Sequence, residues 1–275
     1  MNTNPLFYFT CICIALLFFS CKKESEQKEL RLLMINTTTY EGTSTTTTYH
    51  YNASNQLVEI NNNGLIEKFM YYPDGKLQKL LSYEFNSTHY RQMTFHHTAD
   101  RVDSAVVFND SENNPASYTI YYTYDAAGQI SKQNNNINWS HYEYTCDEKS
   151  RITAIQSSEN SSEWIVWDDA GNLIQHSWKG RNYETGGWDS IGANYSYDSG
   201  KNYLKAIPYP AEYIFIRSLD PSPMESASNC FENGSYYPGW PQGPISIQEY
   251  NNEKYPTKIS VGETSWELIY EEYQP

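Results

Sequence analysis

The sequence predicts an all-β protein, a long antiparallel meander of about 14–16 strands that forms a curved sheet or a partly closed barrel. Little helix is expected apart from a signal peptide. Three observations predict this class. Thr, Tyr, Ile, Val and Trp recur with a period near two residues, as in half-buried strands. No long apolar run after residue 35 has the period of a helix. A short phrase of strand and turn residues also recurs along the chain.

The composition suits sheets with partly solvated faces. Of 275 residues, 39% are hydrophobic and 26 are Tyr, whose ring is apolar while its hydroxyl stays hydrated. The net charge of −14 argues against nucleic acid as a partner, because phosphate binding needs a basic face. We interpret the acidic surface as a means of keeping the protein soluble; the alternative is that it attracts cationic ligands.

The chain begins with an export signal over residues 1–20. Leu6 to Ser20 form an apolar run without charge, shorter than the about 20 residues of a membrane-spanning helix. The run ends "LFFSC", with the small Ser20 directly before Cys21. An uncleaved, short N-terminal anchor is the alternative reading.

This ending resembles the lipobox of bacterial lipoproteins, with Phe18 to Cys21 in its four positions. The resemblance implies that Cys21 becomes the lipidated first residue of the mature protein, and more than one acyl chain gives stable anchoring. Residues 21–34 form a charged tether, and "KKESEQKE" resembles the export tag of Bacteroidetes-type lipoproteins. The implied location is the outer membrane, facing the cell exterior, with a periplasm-facing location as the alternative.

Two cysteines remain in the mature domain, Cys146 and Cys230. An exported protein can oxidise them to one disulfide, but the sequence does not determine the distance between them. There is no CxxC and no clustered Cys/His spacing, so no metal site and no cofactor are predicted.

The recurring phrase is represented by "YYTYDAAGQI" at 121–130. Eight copies carry an aromatic-x-aromatic pair or a near variant, a turn former, a polar stretch and then Leu, Ile or Val. Their key aromatic positions are Tyr51, Tyr72, His97, Tyr124, Tyr144, Trp167, Tyr197 and Tyr250.

The phrase has a local physical meaning. Tyr122 and Tyr124 share one face of a strand. Asp125 is expected to hydrogen-bond its own turn, and Gly128 to supply the positive φ that reverses the chain. Ile130 then starts the return strand and packs beside the aromatic residues.

These copies resemble the tyrosine-aspartate (YD, Rhs-type) repeats, in particular the YD-repeat-like outer-membrane lipoproteins of unknown function in Bacteroidetes-type bacteria. The resemblance covers most of a single β domain at 35–275. In large Rhs proteins such repeats build a shell around cargo, whereas this chain is too short to enclose a folded partner.

Residues 206–244 form an insertion that breaks the pattern. Seven of the 12 prolines lie there, which excludes central strands at those points. The segment 211–219 is predicted as a short helix or an edge strand. Tyr236, Tyr237 and Trp240, with Trp188 outside the insertion, are candidate ligand-binding aromatics; the alternative is that the rings cap the sheet.

No catalytic set is recognisable, so the predicted function is a non-catalytic binding or scaffolding module, with a glycan or another envelope protein as its partner. His96 and His97 are read as a variant of the repeat, because strand neighbours point to opposite faces. Asp168 and Asp169 occupy the repeated turn. The alternatives are a glycan-active hydrolase with an atypical site and a purely structural assembly subunit.

Overall fold

The computed structural model describes residues 29–273, apart from residues 40 and 86 and the segments 111–115, 138–140, 158–160, 182–184, 220–228 and 235–244. Within this part the chain forms eighteen β-strands, one α-helix and one short 3-10 helix. The predicted all-β class and the antiparallel meander are confirmed. The strand number is larger than the expected 14–16.

The first nine strands are β1 (Glu29–Thr38), β2 (Ser44–Tyr51), β3 (Leu57–Asn62), β4 (Leu65–Tyr71), β5 (Leu77–Glu84), β6 (Tyr90–Thr98), β7 (Arg101–Asn109), β8 (Ala116–Tyr124) and β9 (Ile130–Asn135). The other nine are β10 (His141–Cys146), β11 (Ile152–Ser157), β12 (Ser162–Trp167), β13 (Leu173–Arg181), β14 (Trp188–Lys201), β15 (Asn229–Gly234), β16 (Ile245–Tyr250), β17 (Pro256–Val261) and β18 (Thr264–Tyr273). Between β14 and β15 lie the 3-10 helix η1 (Tyr203–Ala206) and the helix α1 (Ala211–Ser218).

Neighbouring strands pair antiparallel in chain order, as expected of a meander. β1 also pairs with β18, so the first strand lies between the second and the last. A residue-by-residue register is resolved for every pair of consecutive strands in the described chain except β15 and β16, and the sheet is not closed.

The chain divides into two compact units. One unit, Arg31–Glu271, contains the core and the candidate site. The other comprises residues 1–30 and 272–275, where the Tyr273 hydroxyl donates a hydrogen bond to the Glu29 carboxylate at 2.6 Å.

Side-chain alternation places the core on one face of the strands. In β8, Tyr122 is buried and Tyr124 packs against the core, whereas Tyr121 is 49% exposed. Leu57, Leu77 and Leu173, each the first residue of its strand, are fully buried. This confirms that the apolar residue after each turn begins the return strand and packs into the core.

The tight turns share one five-residue geometry. In the turn after β8, the N–H of Asp125 donates to the carbonyl of Gln129 at 2.9 Å, and the N–H of Gly128 donates to the carbonyl of Asp125 at 3.0 Å. The Asp125 carboxylate accepts the N–H of Gln129 at 2.9 Å, and Gly128 has φ +83°. The same backbone bonds recur at Asn52, Tyr72, Asp147, Asp168 and Asn251. The predicted turn role of Asp125, Asp147 and Asp168 is therefore confirmed.

A repeated side-chain hydrogen bond closes each unit. A residue at or near the end of one strand donates to a carbonyl oxygen within the first four residues of the preceding neighbour, as Tyr124 does to Val102 at 2.7 Å. Equivalent bonds run from Tyr51 to Leu32, Tyr71 to Leu57, Trp167 to Ile152, Tyr197 to Leu173 and Tyr270 to Pro256. We call this position the closing position; a break in ladder register directly precedes it in β2, β4, β8, β12 and β14.

The structure corrects two of the predicted key aromatics. In β4 the closing position belongs to Tyr71, and Tyr72 is the first residue of the turn. In β10 it belongs to Cys146, whose thiol donates to the carbonyl of Ile130 at 3.7 Å. Tyr144 instead bonds the side chain of Gln133 at 3.2 Å. The aromatic pattern misplaced both because Tyr occurs at adjacent and alternate positions there.

The insertion contains both helix and strand. Residues 211–219 give the helix α1 rather than an edge strand: Pro210 occupies the N-cap position, where no N–H is needed, and Glu212 lies in the first turn, near the positive end of the helix dipole. Strand β15 also lies within 206–244, in a stretch without proline.

Candidate ligand-binding cavity

A cavity of about 640 Å³ lies between the tight turns that follow β8, β10 and β12 and the segment that carries η1 and α1. The turn residues Gly128, Ser150 and Gly171 form part of its wall. The repeat therefore supplies one side of the cavity and the insertion supplies the other. The volume falls within the range of about 300–1,000 Å³ that is usual for small-molecule sites.

Five aromatic residues line the cavity. Two of them, Tyr124 and Trp167, hold closing positions, so their polar atoms are committed to backbone carbonyl groups. The other three, Tyr209, Tyr213 and Phe215, come from the insertion. Aliphatic side chains extend this apolar surface: Ile130, Ile152, Leu204, Ile207 and Ile214.

Three cations also line the cavity: Arg151, Lys205 and Arg217. Arg151 is held firmly, because its Nη2 lies 2.6 Å from the Asp147 carboxylate and its Nη1 donates to the carbonyl of Asp168 at 2.9 Å. Its guanidinium carbon lies 5.5 Å from the centroid of the Trp167 ring. Arg151 thus links two neighbouring turns while presenting a cation beside an aromatic surface.

The other two cations belong to the insertion. Lys205, in η1, is accessible, yet the protein atoms around it desolvate its ammonium group and lower its pKa. Arg217, in the last turn of α1, has its guanidinium carbon 5.9 Å from the centroid of the Tyr213 ring.

Ring contacts fix α1 against the core side of the strands. Phe215 meets Tyr122 edge-on with centroids 5.0 Å apart, and it stacks on Tyr124 at 6.3 Å. Tyr213 stacks on Tyr209 at 5.0 Å and meets Phe69 edge-on at 5.3 Å. Because each pair adds to the burial of two large rings, the helix is placed by packing at several points.

Polar contacts under the helix add to this packing. The Tyr213 hydroxyl donates to the Glu67 carboxylate at 3.4 Å. Desolvation, followed by the nearby Glu67, raises the pKa of Tyr213 to about 12. Desolvation also raises the pKa of Glu67.

His97 joins the same helix to β6. Its Nε2 lies 2.9 Å from Oε1 of Glu212, and the two side chains are only 9% and 8% exposed. His97 follows the register break in β6 and so holds that strand's closing position, while His96 is exposed on the opposite face. The prediction that His96 and His97 point to opposite faces is confirmed, but the partner of His97 was not foreseen.

The sequence-predicted site residues lie elsewhere. Trp188 begins β14, is 54% exposed and has the Lys179 ammonium 5.5 Å from its ring centroid; it does not line the cavity. Tyr236, Tyr237, Trp240 and Cys21 fall outside the described residues. The Cys146–Cys230 disulfide stays a prediction, because the Cys230 side chain is also outside them.

The described residues contain no cluster of three or more His, Cys, Asp or Glu side chains that could hold a metal ion. The cavity-lining residues in this part of the chain include no Asp or Glu. The Asp168 carboxylate accepts the N–H of Asn172 at 2.7 Å, which confirms its predicted place in the repeated turn. None of the helices in the described ranges could span a bilayer.

Sequence reasoning missed the insertion's part of the site. The spacing of the insertion's site residues fits one helical face only loosely: they are Tyr209, Tyr213, Phe215 and Arg217, at i, i+4, i+6 and i+8. The neighbouring prolines weaken the helical pattern further. One available signal was the concentration of aromatic and cationic residues at 203–217 in an acidic chain.

No protein-family model matches the chain, and no curated protein matches it. Among solved structures, it is similar to a porin-like protein from Bacteroides vulgatus ATCC 8482, with a TM-score of 0.44, 10% identity, and coverage of 88% of this chain and 99% of that one. A porin-like protein from Bacteroides uniformis ATCC 8492 has a TM-score of 0.43 and 10% identity, and the match covers 87% of this chain and 98% of that one. A TcdB2-TccC3-Cdc42 structure gives a TM-score of 0.32 with 12% identity over 80% of this chain and 12% of that chain. Likenesses with scores this low assign no activity to this chain.

Proposed function

We propose that the protein is a non-catalytic, lipid-anchored cell-envelope protein of the outer membrane that faces the cell exterior and binds a ligand in the cavity beside α1. The observation that carries the binding role is the cavity itself, about 640 Å³ with five aromatic and five aliphatic lining residues. Apolar walls with a few polar groups are typical of ligand sites.

The rigidity of the walls supports this role. The turn-side residues are tied to backbone carbonyls through the closing positions, and α1 is fixed by ring pairs and by the contact between His97 and Glu212. A preformed site loses little conformational entropy on binding, which favours affinity. The proposed location rests on the lipobox-like sequence that ends at Cys21.

The test is a thermal-shift screen of glycans, peptides and small organic molecules against the mature domain. Each hit is then repeated on Ser218→Trp, which fills the cavity from the exposed end of α1, and on Ser54→Trp, which places the same ring on a remote exposed turn. We expect hits to be lost in Ser218→Trp and kept in Ser54→Trp. A hit that survives Ser218→Trp but is lost in Trp240→Ala would move the site to the segment that contains Tyr236, Tyr237 and Trp240.

A scaffolding role is favoured by a separate observation. Trp164 and Val166 point outward from β12 and are 47% and 43% exposed. Exposed apolar groups that are close together mark protein contacts more often than isolated ones do. Light scattering of the mature domain tests this role: a stable oligomer that dissociates in Trp164→Ser supports it, and a monomer at high concentration argues against it.

A further inference from the structure

The chain enters the core unit at the same edge of the sheet that carries the cavity. Arg31, the first residue of that unit, donates a hydrogen bond from its Nη1 to the side-chain oxygen of Asn55, in the turn after β2. The carbonyl of Leu32 accepts the hydroxyl of Tyr51, directly before the same turn, at 2.6 Å. In an antiparallel meander every second turn lies at one edge, so the turns after β2, β4, β6, β8, β10 and β12 share it. We call this edge the entry edge.

Side-chain contacts run along the entry edge from its first turn to the cavity. The guanidinium of Arg101, after β6, lies beside Gly128, and Gly128 forms part of the cavity wall together with Ser150 and Gly171. The other links are hydrogen bonds from Gln56 to the carbonyl of Gly75 at 3.3 Å, Lys76 to Ala99 at 2.6 Å, Gln129 to Asp147 at 2.8 Å and Arg151 to Asp168 at 2.9 Å. The turns therefore form one continuous row, and the cavity opens along it.

The cavity suits an alkyl chain better than a flat ring. Its five aromatic side chains already have at least one face covered within the protein: Tyr124 by Phe215 at 6.3 Å, Tyr209 by Tyr213 at 5.0 Å and Trp167 by the guanidinium of Arg151 at 5.5 Å. A sugar or aromatic ligand depends on free ring faces. An alkyl chain needs only apolar contact without a set direction, which the five aliphatic lining residues also supply.

From these observations we propose that the cavity binds one long, unbranched alkyl or acyl chain, supplied by a lipid of the membrane to which the protein is anchored. The chain packs among Ile130, Ile152 and Leu204, and the polar head of the lipid stays in water. The proposal rests on the anchoring and binding roles proposed above and adds to them the class and source of the ligand. It requires no charged group of the cavity, because the three lining cations already interact with other groups of the protein.

The length of the tether supports the membrane as the source. Ten residues, 21–30, link the proposed anchor to Arg31, and they span at most about 35 Å. The eight residues of β2 span about 27 Å from one edge of the sheet to the other. The opposite edge reaches the membrane only when the tether is stretched over most of its length, whereas the entry edge reaches it at any extension. The anchor thus keeps the cavity on the membrane side.

A series of uncharged alcohols tests the preference for a chain. 1-Hexanol, 1-octanol and 1-decanol are titrated by calorimetry into the mature chain carrying Cys21→Ser, which has no acyl chain of its own. We expect the affinity to rise about fourfold for each added methylene group, because each is buried. The flat 2-naphthol, also an uncharged hydroxyl compound, is expected to bind more weakly than 1-octanol. An affinity that does not change with chain length, or tighter binding of 2-naphthol, overturns the proposal.

Two isoleucines of equal exposure locate the chain. Ile214 lines the cavity and is 53% exposed, whereas Ile137, in the turn after β9 at the opposite edge, is 54% exposed. Ile214→Ser is expected to weaken 1-decanol about tenfold through lost apolar contact, and Ile137→Ser to leave it unchanged. Circular dichroism verifies that both variants are folded. Equal affinities in the two variants, or binding that survives Ser218→Trp, would place the alcohol on another surface and overturn the proposal.

Vesicles test the source of the chain. The Cys21→Ser protein is incubated with sucrose-loaded phosphatidylcholine vesicles that carry radiolabelled 1-palmitoyl-lysophosphatidylcholine, and the vesicles are then removed by centrifugation. We expect the protein to hold label in the supernatant, well above the amount found with the same protein carrying Ser218→Trp. Equal label in the two supernatants, from a protein that binds the alcohols, overturns the membrane source.

The outcomes separate this proposal from the roles on which it rests. If no alcohol binds but the ligand screen gives a hit that Ser218→Trp removes, the chain assignment is overturned and the binding role stands. If the screen is empty as well, the binding role itself fails. The anchoring role has its own readout, the incorporation of palmitate that depends on Cys21.

Discussion

Nε2 of His97 and Oε1 of Glu212 lie 2.9 Å apart, although 115 residues separate them in the chain. The pair is almost completely buried and joins β6 to α1, the helix whose side chains line one wall of the cavity. In six other strands the closing position holds an aromatic hydrogen-bond donor, whereas in β6 it holds His97, which contacts the insertion.

Removing one partner of this pair should destabilise the protein strongly. Glu212→Ala leaves His97 buried without its partner, so we expect a loss of about 3 kcal/mol in the free energy of unfolding. Urea denaturation measures it. The control is Glu163→Ala, which breaks the contact of 2.8 Å with His176, where the side chains are 18% and 25% exposed; that loss should stay below about 1 kcal/mol. Equal losses in both variants would contradict the role assigned to burial.

The closing hydrogen bond should contribute measurably to stability. Tyr71→Phe keeps the ring and removes the hydroxyl that donates to Leu57 at 2.6 Å, so we expect a loss of about 1 kcal/mol. Tyr121→Phe, at a side chain that is 49% exposed, should have almost no effect. Urea midpoints of the two variants measure the effect. A Tyr71→Phe protein as stable as wild type would show that this hydrogen bond does not contribute to the stability of the fold.

Turn residues with positive φ should respond with opposite signs. Gly128 has φ +83°, and an added Cβ would also collide with the Arg101 guanidinium, so Gly128→Ala should lose about 1–2 kcal/mol. Lys254 occupies the equivalent position with φ +67°, and Lys254→Gly should gain up to about 1 kcal/mol. Thermal unfolding of both variants measures the effect. A stabilised Gly128→Ala would show that the turn is free to change its conformation.

Acid should weaken the turn at Asp168. Desolvation raises the pKa of this carboxyl. Hydrogen bonds from Asn172, Gly171 and Ala170 lower it by more, so the net pKa is below its usual value of 3.8. A depressed folded-state pKa contributes stability above pH 3.8, and that stability is lost as the pH falls through the folded-state pKa. Asp168→Asn keeps the acceptor, as Asn52 does in its own turn. We expect its urea midpoint to fall less steeply than that of wild type between pH 4 and pH 2.5. Parallel curves would exclude Asp168 as a source of the acid sensitivity.

The proposed lipid anchor should depend on one thiol. Cys21→Ser is expected to abolish incorporation of radiolabelled palmitate and to move the protein from the membrane fraction to the soluble fraction, because the acyl chains have no other attachment point. Cys146→Ser, within the β domain, should leave both readouts unchanged. A protein that keeps its label in Cys21→Ser would reject the lipobox interpretation.

The strands and turns were predictable because their signals are local. Asp125, Gly128 and Ile130 act within one turn, so alternation and turn chemistry sufficed to predict the meander and the start of each return strand. The register failed only where the pattern was ambiguous, at Tyr72 and Tyr144. Cys146 was missed because a thiol does not resemble the aromatic donors whose position it takes.

The cavity was not predictable in this way, because its walls come from distant parts of the chain. Trp167 is near Phe215 in space only because the insertion folds back over the turns. Nothing in the sequence around Glu212 identifies His97 as its partner. Such contacts depend on the tertiary packing of α1, which neither periodicity nor composition determines.

The position of β1 between β2 and β18 has a consequence for the order of folding. Strand β1 obtains its second row of backbone partners from β18, so the pairing of the sheet is complete only once the chain through Tyr273 is present. A chain that stops before Thr264 leaves that row of amide and carbonyl groups without its native partner and open to another molecule. Premature termination should therefore yield aggregation rather than a smaller working protein.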